Sequence, residues 1–334
     1  MRHAETGRAQ QAPPLFQCSV FSAFALIAVL GFARPLQACA CGCQIFDVGI
    51  ADMPDSFTEN RLTLQYSTMK QDENQFGSAL ASGDLNPDKQ IETSFYTLSY
   101  AHEFDHTWGV EAEIPYWRRR FVTDNNGTPG ISDGDAGTVP DIESAQVNTL
   151  SDIRLMGMYT GFSEDMSIGV TFGVKLPTGP FNASPLLDRD TEPGTGTTDL
   201  LLGGFDRGRF APALGWYLQT LFDAPLYERD GYQPGNNLDL TAGLHFDAIH
   251  AWTSLTPLLQ ANFTLRNHDS GGGDFVTGNV NSGYENLYLA PGLQADLGGH
   301  VQATGLVYLP VSRNVNGDQL VASWLANAEL SYLF

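Results

Sequence analysis

Trp324-Leu325-Ala326-Asn327-Ala328-Glu329-Leu330-Ser331-Tyr332-Leu333-Phe334 alternates an apolar or aromatic set (Trp324, Ala326, Ala328, Leu330, Tyr332, Phe334) with a more polar one, and the sequence stops on Phe334. A period of two puts the sets on opposite faces of a β-strand. With lipophilic side chains on one face and Asn327, Glu329 and Ser331 on the other, the stretch reads as a strand between lipid and a wet lumen. The terminal aromatic resembles the signal by which outer-membrane barrels are recognised for insertion, so Phe334 is expected to engage the outer-membrane insertion machinery.

The same period recurs backwards along the chain. Twelve segments can be cut this way, from Arg61–Thr68 to Leu320–Phe334, most of them about ten residues long, the length of a tilted transmembrane strand. Their connections alternate in length. Asp105–Thr107, Ser163–Asp165, Asp206–Arg209, Asp247–Ala251 and Gly298–His300 are tight; Met69–Glu92, Val122–Ser151, Pro177–Thr197, Tyr227–Asn237, Asn267–Tyr284 and Ser312–Gln319 are longer. The expected fold is therefore all-β, an antiparallel transmembrane β-barrel of about 12 strands, with short periplasmic turns and long extracellular loops.

A soluble β-sandwich would also alternate, with the apolar residues as its core. Two features favour the barrel. The outward sets are unusually lipophilic, as in Trp108, Val110, Ala112, Ile114 and Tyr116, or Ile168, Val170, Phe172, Val174 and Leu176. Aromatics also gather near strand ends, including Trp108, Tyr159, Trp252, Trp324 and Tyr332, where interfacial girdles belong.

The beginning of the chain agrees. Residues 1–38 read as a signal peptide: Arg2 and Arg8 are followed by the apolar run from Phe21 to Ala33, too short to span a bilayer as a helix. Residues 39–58 form a periplasmic Cys-rich N-terminal segment, and residues 59–334 the barrel. Leu36-Gln37-Ala38-Cys39 also approximates a lipoprotein signal, so lipidation of Cys39 stands as an alternative. The formal charge is -21, and loss of three arginines and one glutamate with the leader leaves -23. Such a chain does not bind nucleic acid by neutralising phosphates. The expected location is the outer membrane of a Gram-negative bacterium.

Four further stretches carry a family likeness: Glu113-Ile114-Pro115-Tyr116, Ser151-Asp152-Ile153-Arg154-Leu155, Phe172 to Gly179 (Phe-Gly-Val-Lys-Leu-Pro-Thr-Gly), and Pro193-Gly194-Thr195-Gly196-Thr197-Thr198-Asp199 running on to Gly204. In order and spacing they resemble the outer-membrane transporter family named for the meta pathway of phenol degradation. The resemblance implies a porin-like channel for small, hydrophobic or aromatic solutes in contact with outer-membrane lipid. Pro177 at a strand end and Gly179, Gly194 and Gly196 around it also have a plain structural reading, as turns out of and back into the wall.

Parity places charge inside. If Val174 and Leu176 face lipid, Lys175 faces the lumen; by the same parity Arg61, Arg119, Arg154 and Arg266 point inward, opposite Glu111, Glu113, Asp152, Asp199, Asp239 and Glu329. Charges of both signs either set up a transverse field across an open pore or pair with each other and fill it. Apart from Arg119, these residues are the candidate pore lining.

Cys39, Cys41 and Cys43 alternate in a way that suits a soft metal ion, and His102, His106, His245, His250 and His300 fall on the short-turn rim. The same cysteines also suit a disulfide or a lipid anchor. They support a second reading, in which the barrel is a scaffold docking a periplasmic redox, metal-binding or efflux partner. No cofactor is required by the channel reading. An enzyme is not expected, because the dense cluster His102-Glu103-Phe104-Asp105-His106 lies at a periplasmic turn, away from the edges where barrel hydrolases work.

Overall fold

A computed structural model describes residues 60–83, 86–124, 141–247, 254–271 and 281–334. The signal peptide and the Cys39, Cys41 and Cys43 segment lie outside the described residues. Among the described residues sixteen strands follow one another: β1 (Asn60–Phe76), β2 (Ala79–Leu80), β3 (Asp88–Glu103), β4 (Trp108–Asp124), β5 (Ile142–Leu150), β6 (Ile153–Tyr159), β7 (Ile168–Leu176), β8 (Asp199–Ala211), β9 (Leu214–Pro225), β10 (Tyr232–Gln233), β11 (Asn237–Phe246), β12 (Ser254–Arg266), β13 (Ser270–Gly271), β14 (Tyr284–Gly298), β15 (Val301–Val315) and β16 (Asp318–Leu333).

Twelve staves close into one antiparallel barrel, with β1 pairing β3 on one side and β16 on the other. β5 and β6 both pair β4 and make one stave, interrupted at Ser151 and Asp152. At the seam, Asn60 N donates to Phe334 O and Phe334 N donates back to Asn60 O, each at 2.9 Å. Closure matters because hydrocarbon offers no partner to a free backbone N–H or C=O, so a membrane-spanning sheet cannot keep an open edge.

The distribution of side chains is inverted relative to a soluble protein. Leu62, Leu64, Tyr66, Val110, Ile114, Leu202 and Leu330 are exposed on the outer face, whereas Thr63, Ser67, Thr97, Gln260, Asn262, Thr304 and Ser331 are buried inside. A sandwich would bury the first set. The lumen is not wholly polar, however: Met69, Phe95, Phe205, Tyr217, Leu258, Tyr288, Leu306, Tyr308 and Leu325 form a buried apolar cluster, with Trp117 and Met158 packed against it. Large rings fit there because small residues face them; a Cβ on Gly243 would overlap the Tyr217 ring.

Two expectations about connections need correction. The segment Asp206–Arg209 is strand, and the turn falls two residues beyond Arg209, between Ala211 and Leu214. Its register against β9 continues from Asp199 to Arg209 with Gly208 packed against Trp216, so the pairing outlasts the Asp-Arg-Gly turn signal. Two of the expected long connections, Met69–Glu92 and Ser312–Gln319, are also largely strand. β1 runs to Phe76, β3 starts at Asp88, and Ser312–Gln319 contains only a tight turn between β15 and β16. The charged residues in them are tolerated because these strand ends need no apolar outer face.

The connection between β7 and β8, Pro177–Thr198, contains no strand. β7 ends at Leu176 opposite Ile153, so beyond that level β5 has β4 as its strand neighbour. The chain leaves the wall there and folds into the lumen.

Candidate functional site

The four stretches that carry the family likeness meet where the Pro177–Thr198 loop enters the barrel. Ser151 and Asp152 interrupt the β5–β6 stave and present a carboxylate to both limbs of the loop. Asp152 Oδ1 accepts Gly179 N at 3.0 Å, and Oδ2 accepts Thr195 N at 2.7 Å and Thr195 Oγ1 at 2.8 Å. Thr178 Oγ1 accepts Ile153 N at 2.9 Å and donates to Ser151 O at 3.0 Å, while Ser151 Oγ donates to Pro193 O. The glycines let the two limbs touch: a Cβ on Gly179 would lie 2.9 Å from Gly194 Cα, and Gly194 N donates to Pro180 O at 2.8 Å. Pro177, Gly179 and Gly194 therefore form a clamp as well as a turn.

Deeper contacts hold the loop tip. Arg119, fully buried on β4, donates through Nε to Thr93 Oγ1 at 2.9 Å and through Nη1 to Thr191 O, and stacks 4.7 Å over Trp117. Leu187 packs with Ile91, Phe121, Val147 and Leu320. Arg189 lies over the rings of Tyr232 (4.5 Å) and Phe181 (4.8 Å) and donates to the carbonyls of Gly194 and Thr195. Glu192 accepts Ala183 N at 2.8 Å and Ser184 N at 3.4 Å. Burial raises the Glu192 and Asp188 carboxyls above their ordinary range, the backbone bonds and a contact with Asp88 pulling the other way.

Below the loop lies an ionic layer. Lys175 Nζ is 2.8 Å from Asp223 Oδ2 and also pairs with Asp199, all three side chains being buried. Arg154 Nη1 is 3.4 Å from Glu113 Oε2, likewise buried. Asp199 accepts Thr197 Oγ1 at 2.6 Å; Asp239 accepts Thr264 Oγ1 at 2.7 Å and Asn237 Nδ2 at 2.6 Å. Arg266 Nη2 is 2.9 Å from Asp269 Oδ1, and Asp269 also accepts Tyr232 Oη at 2.6 Å and Gly235 N at 2.7 Å.

Of the ten candidate lining residues, Glu113, Asp152, Arg154, Lys175 and Asp199 share the loop clamp and the ionic layer. Asp239 and Arg266 stand on β11 and β12 among their own hydrogen-bond partners. Arg61, Glu111 and Glu329 lie on the lumen side towards the short turns. Asp223 was legible, since Leu218, Thr220 and Phe222 alternate with it; Arg189 and Glu192 were not, because a loop has no period. A cavity of about 90 Å³ remains between the loop and the wall, bordered by Phe95, Trp117, Arg154, Lys175, Arg189 and Arg266 among others.

Of the rim histidines, His250 lies outside the described residues, His102 Nδ1 meets Asn60 Oδ1 at 3.1 Å, and His245 Nδ1 meets Asp247 Oδ1 at 2.7 Å. Among the described residues no three metal-ligating side chains cluster.

No family model matches the sequence, and no curated protein matches it. Among solved structures, the chain is similar to the COG4313 outer membrane channel from Pseudomonas putida F1, with TM-score 0.62, 12% identity, and cover of 86% of this chain and 100% of that one. The fold is that of an outer-membrane β-barrel, the fold that the transporter-family resemblance implies. Two further barrels are similar at lower scores: the TodX monoaromatic hydrocarbon channel deltaS2 mutant (TM-score 0.47, 9% identity, 85% and 93% cover) and the translocator domain of the autotransporter NalP from Neisseria meningitidis (0.45, 10%, 85% and 91%).

Proposed function

We propose that this protein is an outer-membrane channel for passive passage of small solutes, exported by a cleaved signal peptide and inserted through recognition of Phe334. The observation that carries the reading is a closed barrel whose lumen is narrowed by a folded loop and a layer of paired charges. A wall built only to be rigid has no need of a clamped inward loop. The ten lining residues are proposed to shape the pore.

The lumen supports a small solute with both apolar and polar parts. Phe95, Trp117, Phe205, Tyr217 and Tyr288 offer ring surface, while the ionic layer favours groups that can replace water. Hydrophobic or aromatic solutes fit the first part of that description.

Liposome swelling with neutral solutes of graded size tests it. The expected result is uptake that falls steeply with solute size. Equal rates in protein-containing and protein-free liposomes for every solute would reject the channel.

A further inference from the structure

We propose that the cavity under the Pro177–Thr198 loop is a binding subsite for the carboxylate of a small organic acid, with Arg189 as its anchor. The proposal deepens the channel reading, naming a chemical class for the solute at this level of the lumen.

Size comes first. The cavity of about 90 Å³ is smaller than the ~150 Å³ cavity that takes up benzene in an engineered protein core. It suits a carboxylate with a short carbon chain. Phe95 and Trp117, in edge contact at 4.9 Å, give that chain an apolar wall.

Charge then decides the sign. Four cations border the cavity. Arg154 is held by Glu113, Lys175 by Asp199 and Asp223, and Arg266 by Asp269. Arg189 differs: among the described residues it makes no ion pair, and its hydrogen bonds go to the main-chain carbonyls of Gly194 and Thr195. Its flat faces are covered by Phe181 and Tyr232, which fixes the plane of the guanidinium and leaves its edge as the binding surface. Of five N–H groups, two are used.

Three of the four bordering carboxylates are held by other groups: Asp152 by Gly179 and Thr195, Glu192 by Ala183 and Ser184, and Glu113 by Arg154. A planar carboxylate can take two parallel N–H bonds from such an edge, a geometry no neutral amide reproduces. The surrounding protein lowers the local dielectric and strengthens the pairing.

Calorimetric titration of the purified, folded protein in detergent with sodium propionate, and with propionamide as its uncharged isostere, tests the proposal at constant ionic strength. Propionate is expected to bind about tenfold more tightly or better, Arg189→Gln to erase that preference, and Arg189→Lys to keep part of it. Heat-modifiable mobility on gels reports whether each variant keeps the barrel. Equal affinity for the two ligands, no binding of either, or a preference that survives in Arg189→Gln would overturn it. If the variant fails to fold, the wild-type comparison alone decides. Binding in micelles needs no open pore, so propionate binding by a barrel that fails the swelling test would reject the channel and leave the subsite standing.

Discussion

The carboxylate of Asp152 accepts two hydrogen bonds from Thr195, from its N at 2.7 Å and its Oγ1 at 2.8 Å, across 43 residues of sequence. A third bond, from Gly179 N, ties the outgoing limb of the loop to the same group. The wall is interrupted at the residue that holds the plug.

Replacing Asp152 with Ala removes a charged acceptor from three donors, each such bond contributing about 1.5–3 kcal/mol. The barrel, held by its closed sheet, is expected to persist while the loop detaches. Limited proteolysis should then cut between Pro177 and Thr198 in the variant and spare that segment in the wild type.

Gly194→Ala attacks the same clamp sterically. The new Cβ would overlap the Gly179 backbone, so the limbs must part, at a cost of about 1–3 kcal/mol. Its loop should open to protease as in Asp152→Ala, whereas Gly77→Ala, where no atom lies within 4 Å of the added Cβ but φ is +59°, should leave the loop protected.

Lys175→Met would leave Asp199 and Asp223 facing each other without their cation. Breaking a buried pair from one side costs about 3–5 kcal/mol, which urea unfolding of the refolded barrel should register. Adding Asp199→Asn and Asp223→Asn to Lys175→Met is expected to restore most of the loss, because the uncompensated charge goes with them. No recovery would mean that Lys175 acts through its packing.

Acid should tighten the loop. Glu192 and Asp188 have carboxyls raised by burial, so the docked state binds protons more readily than the detached one. Their contribution is fully present below the ordinary carboxylate range and is lost as pH rises through the raised values. Hydrogen exchange of residues 183–195, corrected for intrinsic rates, should show protection that falls from pH 4 towards pH 8, and the fall should flatten in a Glu192→Gln, Asp188→Asn variant.

Much of the barrel was legible because a strand between lipid and lumen writes its environment with period two. Trp108 to Tyr116 and Ile168 to Leu176 state which face is outside before any contact is known. The same parity put Lys175, Arg154 and Glu113 on one side of the wall, but parity has no depth: it cannot say that Lys175 meets Asp223 on β9. The turn after β8 was misplaced because Asp206-Arg207-Gly208-Arg209 has turn composition, while cross-strand pairing with β9 holds it extended. The inward loop was the hardest part. Its anchors, Arg119, Arg189 and Glu192, work through backbone carbonyls and N–H groups, which any sequence supplies. Only the glycines and Asp152 leave a trace, and that trace is the motif itself.

Single-channel conductance in planar bilayers, comparing the wild type with a variant in which residues 181–193 are replaced by a short Gly-Ser link, tests the constriction most directly. The account predicts steady, small conductance for the wild type and a several-fold larger one for the variant. Equal conductances would place the constriction elsewhere, and silence from both would contradict a channel.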